Sequence, residues 1–127
     1  MRAAIIKELK KISDFQNRVY QAYSAPANVA KPYCTVKLSG EYPNATNKKG
    51  SNIELQIFIY NSPSSFTNLD ILEKKVRSQL HEVILSTDES PARHFTCIYT
   101  MTQPDYFDDV SQLFMKRIDF IIPLSRI

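Results

Sequence analysis

The spacing of apolar residues changes several times along the chain, and each change marks an element. Ile5, Ile6, Leu9 and Ile12 recur at helical spacing while Lys7, Lys10 and Lys11 lie off that stripe, so the first dozen residues read as a short amphipathic helix. Arg18-Val19-Tyr20 reads as a brief extended piece. A connector over 25–32 follows, because Pro26 and Pro32 each drive the preceding residue out of helical geometry. Over 33–39 the period becomes two, with Cys34, Val36 and Leu38 on one face and Tyr33, Thr35 and Lys37 on the other. The clearest strand comes next: Ile53, Leu55, Ile57 and Ile59 alternate with Glu54, Gln56, Phe58 and Tyr60, and the second face turns aromatic. Between these strands, 41–52 holds a proline, a glycine, three asparagines and two adjacent lysines, which predicts a long exposed loop. Positions 61–65 break the second strand, and Thr67 or Asn68 caps a helix carrying Leu69, Leu72, Val76, Leu80 and Val83 on one stripe. Asp70 with Lys74 and Glu73 with Arg77 support that helix as i,i+4 pairs. A turn over 87–91 leads to two more extended runs, 94–102 and 113–122, separated by a segment rich in acids and aromatics.

This order predicts an α+β fold: an antiparallel sheet of four to five strands with two amphipathic helices on one face, since sequential strands with short links favour antiparallel pairing. The 127 residues suit a single domain over 1–127, which at that length buries roughly two thirds of its unfolded surface. Only Gly40 and Gly50 are glycines, too few for a phosphate-cradling loop or a dinucleotide fingerprint. The net charge of +3 is spread along the chain and names no polyanionic partner. Cys34 and Cys97 sit inside apolar runs and read as buried free thiols. Lys7, Glu8, Lys10 and Lys11 interrupt any leader-like apolar start, and no run approaches the ~18 apolar residues a membrane span needs. A chain made and folded in a cytoplasm, without membrane contact, is expected.

Candidate chemistry is sparse. Cys34, His81, His94 and Cys97 could at most furnish a structural zinc site, but His94 and Cys97, three apart in a strand, point to opposite faces. Two core thiols and two ordinary histidines are the expectation. Asp105, Asp108 and Asp109 crowd one short segment without a companion acidic cluster, which favours a turn and a helix start over a cation site. The lysines of the first helix, with Lys48 and Lys49, read as solvated surface. No nucleophile sits in a strained turn beside a histidine, so neither enzyme activity nor a cofactor is expected.

Arg18-Val19-Tyr20, Ala25-Pro26 and Lys31-Pro32-Tyr33-Cys34-Thr35-Val36, followed by Ile53 to Asn61, the second helix, Asp105 to Asp109 and the final run from Phe114, resemble in order the small tail-terminator proteins of long-tailed bacteriophages and prophages. These are also called tail completion or head-tail joining proteins. The resemblance implies a virion protein without catalytic activity, assembled in the host cytoplasm as a homo-oligomeric ring, typically hexameric, at the junction of tail and head. Its implied partners are tail-tube and head-completion proteins, with non-specific DNA contact in the channel. Cys34 and Thr35 replace the more usual apolar pair.

Independently of that resemblance, the aromatic and apolar residues exceed what two short helices can cover, and such surplus commonly marks an interface. Lys48, Lys49, Phe58, Tyr60, Phe107 and Phe120 are therefore the candidate assembly contacts. The alternative is a small α+β nucleic-acid-binding module that uses the sheet aromatics and Lys48-Lys49.

Overall fold

The computed structural model describes residues 1–26, 29–43, 50–61, 66–87, 91–108 and 113–125. Helix α1 (Arg2–Leu9) sends Ile5 and Leu9 into the core. It ends earlier than the apolar stripe: Ile12 is extended, with φ −75° and ψ 110°, and heads a 3-10 turn, Ser13–Phe15, whose Phe15 is fully buried. Gln16 and Asn17 then take positive φ values of 46° and 66°, turning the chain into β1 (Val19–Gln21). Asparagine tolerates that left-handed conformation better than most residues.

Strand β2 (Tyr33–Pro43) pairs with β1 in parallel, placing Val19 beside Cys34 and Gln21 beside Val36. The expectation of a wholly antiparallel sheet fails here, because the connector 22–32 is long enough to return the chain to the same end of the sheet. Arg18 anchors the crossover: its Nε donates to the Pro32 carbonyl at 3.1 Å, and its own carbonyl accepts from the Cys34 N–H at 3.1 Å.

Strand β3 (Gly50–Asn61) pairs antiparallel with β2 over nearly its whole length. The expected loop over 41–52 is therefore much shorter. Glu41, Tyr42 and Pro43 are paired with Ile53, Asn52 and Ser51, and only 44–49 lies outside the described residues. The ladder needs backbone partners rather than apolar side chains, and β8 (Leu113–Ser125) supplies them on the far side, with Ser51 opposite Leu124 and Ile53 opposite Ile122. The Ser51 hydroxyl also donates to Glu41 at 2.8 Å. One extra residue on β2 makes a bulge between Leu38 and Glu41, where Gly40 adopts φ +66°.

Helix α2 (Phe66–Leu80) buries Leu69, Leu72, Val76 and Leu80. They share one cluster with Val36, Leu55, Ile57, Ile59, Ile118 and Ile122 of the sheet and Ile5 and Leu9 of α1. Val83 lies just past the helix, after Glu82 at φ 58°, and still packs against that cluster. Two short strands, β4 (Ile84–Ser86) and β5 (His94–Thr96), form a separate sheet that adds Leu85 and Phe95 to the core. The expected single run over 94–102 divides at Cys97 into β5 and β6 (Ile98–Thr102), and β6 joins the main sheet. Strand β7 (Tyr106–Asp108) pairs with β8 farther along.

The main sheet thus has six strands in the order β1-β2-β3-β8-β6 with β7 also on β8, and a two-stranded sheet stands beside it. The α+β class matches the expectation. The sheet is mixed and larger than the four to five antiparallel strands expected.

Candidate functional site

The register divides the sheet into two faces. Leu55, Ile57 and Ile59 lie beside Phe120, Ile118 and Lys116 on the side the helices cover. Glu54, Gln56, Phe58 and Tyr60 lie beside Ile121, Asp119, Arg117 and Met115 on the other, and among the described residues no helix covers that face. Phe120 is 1% exposed in the helix-side core, which leaves it no surface to offer a neighbour. Strand alternation alone separates it from Ile121, which carries the outward position.

The open face is aromatic at one end. Tyr33 stacks on Tyr60 at 4.7 Å between ring centroids, and Tyr20 meets Tyr33 edge-on at 6.4 Å. Burial, and then the neighbouring Tyr60, raise the Tyr33 phenol above its ordinary value. Burial likewise raises Tyr60, against the opposing effect of a hydrogen bond with Thr35. Phe58 is half-buried beside this cluster, between Thr35 and Arg117. Because Tyr33 and Tyr60 cover one another, neither leaves both ring faces free for a nucleobase.

Toward the other end the face turns polar. Arg117 Nη2 and Gln103 Nε2 each donate to Asp119 Oδ2 at 3.2 Å. Arg117 Nε lies 3.0 Å from Oδ1, an ion pair by distance that lacks hydrogen-bond alignment. Together with Glu54, Gln56 and Met101 these residues line a shallow groove. Lys37 and Arg117 are matched on this face by Glu54 and Asp119, so it offers a polyanion no net attraction.

A second surface lies at the sheet edge formed by β7. Tyr106 is 56% and Phe107 36% exposed, and Phe107 packs on Phe114 at 4.7 Å. Beside it Lys116, largely withdrawn from solvent, bridges Asp70 of α2 and Asp105 at 3.0 Å. Burial lowers the Lys116 ammonium pKa, but the bonds to the two carboxylates outweigh it and leave it raised. Asp105 is thus an ion-pair partner. Asp70 and Asp105 therefore share one lysine at this edge.

The third surface runs between the end of α1 and the outer side of α2. Ile12 and Ile71 form its floor, Ile71 being 45% exposed, and Lys11, Lys74, Lys75 and Asp14 stand around it. Lys75 reaches Asp14 at 2.8 Å and Lys11 reaches Glu8 at 2.9 Å. Lys11, just past the end of α1, therefore belongs to a groove shared with α2, which the first helix by itself could not reveal.

Lys48 and Lys49 lie outside the described residues. His94 is exposed and bonded through Nδ1 to Ser86 Oγ at 2.7 Å, whereas Cys97 is buried. His81 Nδ1 accepts from the Tyr99 N–H at 3.0 Å. Among the described residues no cluster of three or more His, Cys, Asp or Glu is placed to hold a metal ion, and no helix is long and apolar enough to cross a membrane. The sequence shows Glu73 only as half of a helical i,i+4 pair with Arg77. It is buried, receiving Arg77 at 3.1 Å and the Thr102 hydroxyl at 2.8 Å, and it ties α2 to β6.

No family model matches the chain, and no curated protein matches it significantly. Among solved structures it is similar to a chain from the virion of a native gene transfer agent particle, with a TM-score of 0.61 and 16% identity. The match covers 98% of this chain and 92% of that one, so the two share their fold from end to end.

Proposed function

We propose that this chain is a non-catalytic structural subunit of a phage-like virion, one that closes into a homo-oligomeric ring at the tail end or the head-tail junction. The observation that carries the reading is the fold likeness to a virion chain along almost the whole of both chains. The resemblance of its sequence motifs to tail-terminator proteins supports the same place. So do an uncovered sheet face and an exposed aromatic edge, the kind of surface that subunits bury against one another. In this reading the chain folds as one domain, assembles in the host cytoplasm, and joins tail-tube and head-completion proteins in the virion.

Light scattering coupled to size exclusion, run across concentration with and without a cognate tail-tube protein, tests it. A ring-sized species in either condition is expected. A strict monomer in both, binding oligonucleotides in a salt-sensitive way, would replace this reading with that of a nucleic-acid-binding module.

A further inference from the structure

The helix layer carries the whole of the chain's positive surplus. Residues 1–15 and α2 hold seven basic and four acidic side chains, a difference of three that equals the +3 of the complete chain, so the sheet and its connectors are balanced. Along the sequence that excess is spread out. The fold gathers it on one side because α1 packs against α2, with Gln79 donating to Glu8 at 2.8 Å.

The four acids of this layer are already engaged. Glu8 pairs with Lys11 at 2.9 Å, and Asp14 with Lys75 at 2.8 Å. Glu73 is buried and bonded to Arg77 and the Thr102 hydroxyl. Asp70 has the helical spacing to pair with Lys74 but is taken instead by Lys116 of β8. Lys74 is thereby left exposed and, among the described residues, without an ion pair, as are Lys7 and Lys10.

Lys74 stands on a groove with an apolar floor. Ile12 and the half-exposed Ile71 line it together with Lys11, Lys75, Ser13 and Ser78. A concave apolar surface among cations, whose nearby carboxylates are already paired, suits a ligand that is anionic and carries an aliphatic anchor. No aromatic ring lines the groove for a nucleobase to stack on, and isoleucine offers a phosphate nothing, so a protein segment fits it better than a nucleic acid.

We propose that the α1–α2 groove is a docking site for an acidic segment of another protein, with an aliphatic side chain set against Ile71 and Ile12 and flanking carboxylates beside Lys74 and Lys11. The inference stands apart from the ring reading, since it names a ligand of the helix layer and not a contact between copies.

The test is fluorescence anisotropy of a labelled synthetic peptide, Glu-Glu-Leu-Leu-Glu-Glu, titrated with the full chain, with the melting temperature of each variant as the folding control. Saturable binding is expected, weakened about tenfold or more by Lys74→Glu, which sets a carboxylate against carboxylates. Ile71→Ser, or a peptide with serines in place of the leucines, should weaken it about fivefold, the share that an aliphatic contact contributes. Both substituted positions are exposed, so the melting temperature should stay close to that of wild type. Should Ile71→Ser lower it, the serine peptide makes the same comparison on the unaltered chain. Added salt should weaken binding to wild type more than to Lys74→Glu.

No saturation at millimolar peptide, or binding that neither substitution alters, overturns the proposal. Duplex DNA bound more tightly than the peptide, and released by Lys74→Glu, gives the groove to nucleic acid instead. Self-association that falls in Lys74→Glu, read by sedimentation velocity, while the peptide does not bind, gives it to a second copy. A ring-sized species, present or absent, leaves the peptide result standing, so the two readings fail separately.

Discussion

Val76 is fully buried toward the C-terminal half of α2 and belongs to the same core cluster as Leu55, Ile57 and Ile59. Val76→Ala should cost about 1–3 kcal/mol through lost burial and a small cavity, read from urea unfolding midpoints at unchanged slope. The two thiols make a second measurable case. Burial raises Cys34 and pushes Cys97 from 9.0 up to about 12. Neither should react with a thiol reagent at pH 8 in the native protein, and both should after denaturation. A folded-state pKa above the unfolded one means that this contribution to stability is fully present below pH 9 and is lost as pH rises toward 12. Stability should accordingly fall across that alkaline window, and replacing Cys97 with Ala should flatten the fall. Both expectations follow from apolar alternation, which already placed Cys34 and Cys97 inward.

At the scale of elements, two backbone positions invite opposite substitutions. Gly40 holds φ +66° at the β2 bulge, and a methyl there would meet nothing within 4 Å, so the constraint is conformational rather than steric crowding. Gly40→Ala should destabilise by about 1 kcal/mol. Glu82 occupies a similar conformation, φ 58°, just beyond α2, with its N–H bonded to the Cys97 carbonyl at 2.9 Å. Glu82→Gly keeps that bond and relieves the side-chain penalty, so it should be neutral or stabilising by up to about 1 kcal/mol, read by thermal unfolding. Neither position is marked by hydrophobic pattern. The sequence made the long strands legible because Ile53, Leu55, Ile57 and Ile59 alternate with other residues and 113–122 is a largely apolar extended run. It hid the hairpin arm because Glu41, Pro43, Asn52 and Pro123 are poor strand formers, held there by backbone pairing across three strands. Pro123 is tolerated because β6 no longer pairs with β8 at that point.

For the whole molecule, assembly as a ring subunit makes a prediction about charge. Lys48→Glu/Lys49→Glu should leave the melting temperature unchanged, because two adjacent lysines in a polar stretch of sequence contribute no apolar residue to a core. It should weaken assembly, and the difference from wild type should shrink as salt rises. Loss of folding in that double variant would overturn the assignment. The exposed aromatic edge and the helix groove exist only once the chain is folded. Lys11 and Lys74, or Tyr106 and Asp70, are too far apart in sequence for any local pattern to join them.

Local periodicity, acting through the direction each side chain takes from its backbone, by itself determined the α+β class, the order of most elements, the inward thiols and the apolar layer under α2. Three things it could not decide. Parallel pairing of β1 with β2 depends on where the connector 22–32 returns the chain, a long-range closure that no window of sequence encodes. Phe120 and Ile121 are neighbours of equal hydrophobicity, and only the position of the helices says which of them faces the core. Glu73 and Arg77 have the spacing of a helical pair, yet Thr102 and Tyr99, brought over by β6, bury Glu73 and turn that pair into a tie between layers. In each case short-range sterics and burial preference set the element, while the partner across space set its role.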